Sequence, residues 1–359
     1  MKTLEHYAKG FDNNLNLIRF LAAVAVIFSH SYVVTGSTRP LVSLIGNSSS
    51  YIAVNIFFAI SGFLVTKSYC KRNSPLLYIE SRALRIFPGL VVAVLFSVFV
   101  VGALWTSLPI SDYLSHQATY EFVFVNSTLI SDIVYLRNNL PGVFLENPYP
   151  YRVNSPLWTL PYELWMYTLL LLIGMTGVLK KRLLSTLLIG VIILLAIIGH
   201  YYYRGRMAAD VLLNLKRFGS YFFLGVFFYI NRQFIPLNIF IAIGFVILAV
   251  LFSKTALFVL FMAIALVYVT FYLAYIPGGY IRQFNKVGDY SYGLYVYAFP
   301  IQQSLVALFP SIGPLTVLVM SLLITLVLAI LSWHFIEKPA LLCKGNLVNV
   351  FRSQSYSPG

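Results

Sequence analysis

Charge is what this 359-residue sequence has least of. Only 10% of its residues are charged, and only 11 are acidic against 25 Lys and Arg. Soluble domains carry about 25% charged residues, so a chain with a largely water-facing surface is excluded. Cysteine is almost absent. Cys70 and Cys343 both fall in segments expected to face the cytoplasm, which excludes a disulfide framework. The five histidines show no metal-ligand spacing, so no metal is expected. A Walker sequence and a glycine-rich dinucleotide signature are both missing, and no internal repeat has a convincing period.

What fills the sequence is apolar. Hydrophobic residues make up 59% and aromatic residues 16%, which suits membrane-spanning helices with aromatic belts at the interfaces. A helix needs about 20 apolar residues to cross the hydrocarbon core. Ten runs qualify, near 15–35, 51–70, 87–107, 157–179, 183–203, 210–230, 236–253, 256–275, 290–309 and 313–335. The expected fold class is therefore all-α, a polytopic integral membrane helical bundle of about ten transmembrane helices. The sixth run is broken by "NLKRFGS", so its membrane part is expected to begin near Phe218. Only "SK" separates the seventh from the eighth. The first run is too long for a signal-peptide core and lacks a small-residue cleavage site, so it is expected to be retained.

Lys and Arg favour the cytoplasmic side. With both termini cytoplasmic, 16 of them fall inside and six outside (Arg39, Arg137, Arg152, Arg204, Arg206 and Lys254), while Arg19, Lys216 and Arg217 lie within spans. That asymmetry explains most of the formal charge of +14 without nucleic acid, and none is expected as a partner. Residues 1–345 read as one transmembrane domain and 346–359 as a polar cytoplasmic tail. The long connection, 108–156, is placed outside. It reads either as a packed cap or as an acceptor-binding lid whose aromatic rings stack on sugars. No appended soluble domain is expected.

An ionisable group at the centre of a span costs about 3 kcal/mol or more unless it is paired or hydrated. "NLIRFLAAVAVIFSHSY", residues 16–32, holds two such groups, Arg19 and His30. Eleven residues at 100° each make three turns plus about 20°, so both lie on one helix face, about 16 Å apart along the axis. Singly, Arg19 reads also as a snorkelling cation and His30 as a structural histidine. In "YIESRALRIFPG", Arg82 and Arg85 are i,i+3 neighbours whose forked guanidinium groups suit a phosphate-rich ligand. Ordinary positive-inside anchoring is the alternative. In "SPLWTLPYELWMY", Glu163 lies about one turn inside the outer end of its span, at a depth similar to His30. A carboxylate beside an imidazole orients the ring and raises its basicity, as a general base needs; a structural ion pair is the other reading. Trp158 and Trp165 fit an interfacial belt as well. In "NIFFAISGFLV", Ser61 and Gly62 are small enough for close helix approach, and no nucleophile elbow surrounds Ser61.

Taken together, the sequence resembles the membrane-bound acyltransferase-3 family, bacterial surface polysaccharide O-acetyltransferases among them, over roughly residues 12–340. The family's Arg-or-Lys, ten residues, His pattern is met by Arg19 and His30, and its Arg-x-x-Arg by Arg82 and Arg85. "FFAISGF" at 57–63, "LWTLPYE" at 157–163, "SYGLYVYAFPIQQ" at 291–303 and "FIEKPA" at 335–340 follow in the family's order. Three positions depart from it. Asn16 stands where an acidic residue is frequent, Asn55 where another is common in the second span, and Ala298 where many members carry histidine. Roles tied to those positions do not carry over.

The resemblance implies an O-acyltransferase in the bacterial inner membrane that uses acyl-CoA, most simply acetyl-CoA, approaching from the cytoplasm. Its acceptor would be a hydroxyl of an extracytoplasmic or lipid-linked glycan, with exopolysaccharide and O-antigen as the nearest classes. In that reading Arg82 and Arg85 hold the donor phosphates, and Arg19 lines the passage for the pantetheine arm. His30 is the general base or forms a short-lived acyl-imidazole, and Glu163 orients it. Asn55, Ser61, Trp158 and Tyr162 are expected to support the site. Membrane lipids are further partners, and an oligomer is compatible with the sequence. A proton-coupled transporter, with Arg19, His30 and Glu163 as a relay, and a non-catalytic scaffold are the rival classes.

Overall fold

The computed structural model describes residues 2–10, 12–38, 41–42, 46–130, 136–202, 209–255 and 257–345. The expected tail 346–359 and the arginines Arg39, Arg204 and Arg206 lie outside the described residues. Ten long helices account for most of the rest: α1 (Leu15–Val34), α2 (Ser49–Arg72), α3 (Pro75–Trp105), α4 (Ser155–Met175), α5 (Arg182–Tyr202), α6 (Ala209–Ile230), α7 (Ile239–Leu251), α8 (Phe258–Tyr275), α9 (Ser291–Leu308) and α10 (Pro314–Leu342). Each apolar run of the sequence falls on one of them. Seven, α1, α2, α3, α4, α6, α8 and α10, contain a stretch long and apolar enough to cross a membrane. The apolar parts of α5 and α7 are shorter. The protein is a polytopic helical membrane protein; a two-residue hairpin, Leu41–Val42 with Asn47–Ser48, holds the strands among the described residues.

Two helix boundaries differ from the sequence expectation for local reasons. Helix α3 begins at Pro75 rather than near residue 87. Ser74 caps it by accepting from the Leu77 N–H at 3.4 Å, and Pro75 at the first position is already set to helical φ. At 31 residues it is about 46 Å long, more than the ~30 Å hydrocarbon thickness, so its first turns can carry Arg82 and Arg85 outside the apolar layer. Helix α6 runs unbroken through "NLKRFGS". The Arg217 guanidinium lies over the rings of Tyr51 at 4.7 Å and Phe218 at 4.3 Å, and cation–π contact offsets part of its desolvation.

The chain falls into two compact units. The first comprises Met1–Ala25, Pro40–Lys71 and Tyr162–Asp289. Its helices α2 and α6 cross with backbones almost in contact. A Cβ on Gly62 would meet the Phe222 carbonyl oxygen at 2.0 Å, and one on Gly225 the Ala59 oxygen at 2.1 Å. Glycine is required at both, the close-packing role of small residues in membrane helices. Phe58 stacks on Phe218 beside this crossing, with centroids 4.3 Å apart.

The second unit comprises Val26–Arg39, Arg72–Pro161 and Tyr290–Gly359. Here α9 packs on α10, where Gly293 lies against Ala329, and Val34, Phe299, Val306 and Val317 form a buried cluster. Six residues of α3, Ser97–Gly102, and five of α10, Trp333–Glu337, are π-helical. Such turns rotate the side chains that follow and recur at functional sites. The described part of the long connection is packed. It forms helices Ile110–Ser115 and Gln117–Thr128, seats the Tyr113 hydroxyl on the Val98 carbonyl at 2.9 Å, and ties Asn147 to the Gln303 side chain at 2.9 Å.

Candidate functional site

In the first unit, Arg19 of α1 is ion-paired with Asp289. The arginine side chain is 20% exposed and the aspartate 8%, so this cation has a nearly buried carboxylate rather than only the headgroups a snorkelling side chain would seek. The start of α1 is fixed by Asn14, whose side-chain amide donates to the carbonyls of Leu273 at 3.0 Å and Pro277 at 2.9 Å. Asp289 is the last residue of this unit.

Glu163 lies in the first turn of the regular part of α4. The Ser61 hydroxyl donates to its Oε1 at 3.2 Å, and the Tyr167 hydroxyl, one turn along α4, donates to the same oxygen. Ser61 therefore faces a carboxylate, while its neighbour Gly62 faces the α6 backbone. One dipeptide serves two helices. Asn55 is fully buried in α2, and Tyr162 is buried with its ring edge-on to Phe218 at 5.3 Å.

In the second unit, the half-buried His30 ring meets Phe299 edge to face, centroids 5.3 Å apart. One turn earlier, the Ile27 carbonyl accepts from the Gln302 side chain at 2.9 Å. These two contacts fix the histidine's helix against the "AFPIQQ" stretch of α9. Trp158 is half-buried in the 3-10 turn Ser155–Thr159 that opens α4. That turn is pinned to α9 as well: Thr159 shares a 2.7 Å hydrogen bond with the Tyr295 hydroxyl, and Asn154 donates to the Val296 carbonyl at 2.9 Å.

Arg85 is held rather than loose. Its guanidinium is 3.4 Å from Glu337, a carboxylate 2% exposed that also accepts from Ser332 at 2.9 Å. The Tyr292 and Trp333 rings lie within 6.0 Å of it. A Cβ at Gly89 would collide with Tyr292, so glycine in the "FPG" of α3 leaves room for that ring. The π-helical Trp333–Glu337 turn brings Trp333 and Glu337 to the same guanidinium. Arg82, three residues earlier, is one of the charges that hold the Lys344 ammonium below its ordinary value, after burial and Arg72.

The sequence argument missed four partners: Asp289, Tyr167, Glu337 and Tyr295. The signal for two of them was scarcity. With 11 acidic residues in the chain, an Asp two residues before "SYGLY" and a Glu inside "FIEKPA" each needed a cation.

Comparison with known proteins agrees with these motifs. The family model described as an Acyltransferase domain matches residues 12–334. The chain is 27% identical to the "O-acetyl transferase" of Shigella phage Sf6 over 350 residues, covering 91% of this chain and 95% of that one. It is 31% identical to "Nodulation protein 10" of Rhizobium leguminosarum bv. viciae over 170 residues, 45% of this chain and 44% of the other. No solved structure matches at comparable significance. A family match over nearly the whole chain, a full-length O-acetyltransferase relative and a multi-pass helical architecture together make this chain a membrane O-acyltransferase that belongs to the acyltransferase-3 family.

Proposed function

We propose that this O-acyltransferase takes an acyl group, most simply acetyl, from cytoplasmic acyl-CoA and passes it to a hydroxyl of an extracytoplasmic or lipid-linked glycan. The observation that carries the reading is the near full-length similarity to a protein named as an O-acetyl transferase. In this reading the chain crosses a bacterial inner membrane ten times with both termini cytoplasmic, as the Lys and Arg asymmetry argues.

The chemistry assigned to His30 is proton removal. Its imidazole takes the proton of the sugar hydroxyl as the oxygen attacks the thioester carbonyl. The tetrahedral intermediate collapses, the C–S bond breaks, and the proton passes to the departing thiolate, leaving an ester and free CoA. Such general-base assistance is worth about 10²–10⁴ in rate. Glu163 is assigned as the carboxylate that orients the imidazole, supported by the sequence argument of equal depth. Arg19 is assigned to the passage for the donor's arm and Arg82 with Arg85 to the donor's phosphate end. Asn55, Ser61, Trp158 and Tyr162 are assigned supporting positions. In the covalent variant, His30 attacks the thioester itself and the glycan hydroxyl then deacylates the imidazole.

The test uses purified full-length protein in nanodiscs with acetyl-CoA labelled in the acetyl group. Transfer of label to an added bacterial surface glycan is the expected result, with label held on the protein as the mark of the covalent variant. No donor binding and no label on any product, in folded protein offered several glycans, would overturn it.

A further inference from the structure

Two adjacent glutamines of α9, both in the second unit, share burial and differ in what they bond. Gln302 and Gln303 are each 0% exposed. Gln303 uses both ends of its amide. Its Oε1 accepts from Asn147 at 2.9 Å, and its Nε2 donates to the carbonyls of Tyr149 and Arg152, each at 2.7 Å. It holds the long connection onto α9. Gln302 uses one end. Its Nε2 donates to the Ile27 carbonyl at 2.9 Å, while its Oε1 has no hydrogen-bond partner among the described residues. Most buried polar side-chain atoms are paired, and leaving one unpaired is costly.

Turning the Gln302 amide round does not remove the orphan. It would set Oε1 against the Ile27 carbonyl, two acceptors with no proton between them. The place of the amide is also specific. Ile27 is one turn before His30 on α1, and Phe299 is one turn before Gln302 on α9. The His30 ring meets Phe299 and the Gln302 amide meets Ile27. Imidazole and amide therefore flank one turn of α1, about 5 Å of helix. Asn154 leaves its Oδ1 unpaired as well, but it meets α9 at Val296, almost two turns before Gln302. There its amide serves a carbonyl that Pro300, lacking an N–H, leaves without a helical donor.

We propose that Gln302 is a specificity-determining residue whose Oε1 accepts a hydrogen bond from the acceptor sugar, given by the hydroxyl next to the one that His30 deprotonates. This rests on the glycan acceptor and the His30 role assigned under the proposed function. The attacking hydroxyl has one proton, and His30 takes it. A second acceptor atom one turn away is then served by a second hydroxyl. An amide oxygen accepts O–H and offers no donor to an anion, so the orphan suits a neutral hydroxyl and not a phosphate. The substrate class that follows is a sugar with two free hydroxyls on adjacent carbons. A buried site that pairs a hydroxyl rejects the analogue lacking it.

The experiment uses full-length protein in nanodiscs, acetyl-labelled acetyl-CoA and two acceptors. One is the repeating unit of the surface glycan that takes label; the other is the same unit made deoxy at the hydroxyl beside the labelled one. Wild type is expected to show kcat/KM at least about tenfold higher for the first, the scale of one buried hydrogen bond. Gln302→Met keeps the length of the side chain without the acceptor oxygen and should bring the ratio near one. Gln302→Glu, whose buried carboxyl is protonated, both donates and accepts and should keep the preference. A purely structural loss would lower both rates and leave their ratio unchanged. Equal use of the two acceptors by wild type overturns the proposal, with no variant needed. So does an ester on a hydroxyl that has no free neighbour, or a Gln302→Met protein that melts like wild type and keeps the ratio. A raised KM for acetyl-CoA at an unchanged ratio would assign the oxygen to an amide N–H of the donor and overturn it too. If wild type labels no glycan, the proposed function fails and this assignment with it.

Discussion

Arg19 in the first unit and Arg85 in the second meet their carboxylates in different settings. Arg19 has a direct ion pair with Asp289, an aspartate on a connecting segment before α9. Arg85 has a longer contact with Glu337, but Ser332 fixes that carboxylate and two aromatic rings flank the guanidinium. The first arrangement sets a cation against a carboxylate in a connecting segment, and the second adds two aromatic rings to the carboxylate. Removing the carboxylate from a largely buried cation is costly, and the rings at Arg85 offset part of that cost.

The same comparison explains why the family motifs occur together. Early motifs are held by late ones within each unit. The Arg of the first motif meets the Asp near "SYGLY", and Arg85 of the Arg-x-x-Arg pair meets the Glu of "FIEKPA". The Ser of "FFAISGF" meets the Glu of "LWTLPYE", whose Thr159 in turn meets Tyr295. Six short patterns are thus four physical contacts.

Breaking the Arg19–Asp289 pair should cost most. Asp289→Asn removes the charge opposite Arg19 and should destabilise the protein by about 3–5 kcal/mol, read as a steep drop in folded yield and melting temperature in detergent. A double variant, Asp289→Asn with Arg19→Gln, should recover part of that loss; no recovery would show that the pair is not what Asp289 contributes. Glu337→Gln should cost less, about 2 kcal/mol, since the amide still accepts from Ser332 and the rings remain. A melting shift as large as that of Asp289→Asn would contradict the comparison. Smaller again is Tyr167→Phe, which removes one hydroxyl from Glu163 but leaves Ser61. Its expected cost is about 1 kcal/mol in the same melting experiment, and a loss equal to Glu163→Ala would show that Ser61 does not hold the carboxylate.

The sequence carried the helices well because apolar length reports membrane helices directly. It carried helix starts less well. The Ser74–Pro75 start of α3 lies in a polar stretch that hydropathy does not score, and the aromatic shielding of Arg217 comes from Tyr51 in another helix. Among site residues, Arg19 and Glu163 stood out because charge in a span is costly. Their actual partners did not. Tyr167 is one aromatic among 26 tyrosines, and Asp289 and Glu337 lie about 270 and 250 residues from their arginines, beyond any local periodicity. The π-helical turn at Trp333–Glu337, which brings Glu337 to Arg85, leaves no pattern a 3.6-residue period would register.

The most direct measurement is glycan acetylation in bacteria that express His30→Ala at the wild-type protein level. Surface-glycan acetylation is predicted to disappear, because the proton acceptor is gone while the hydrogen bond from Gln302 to the Ile27 carbonyl still holds the helix. Acetylation at the wild-type rate would contradict the assignment of His30 and with it the proposed mechanism.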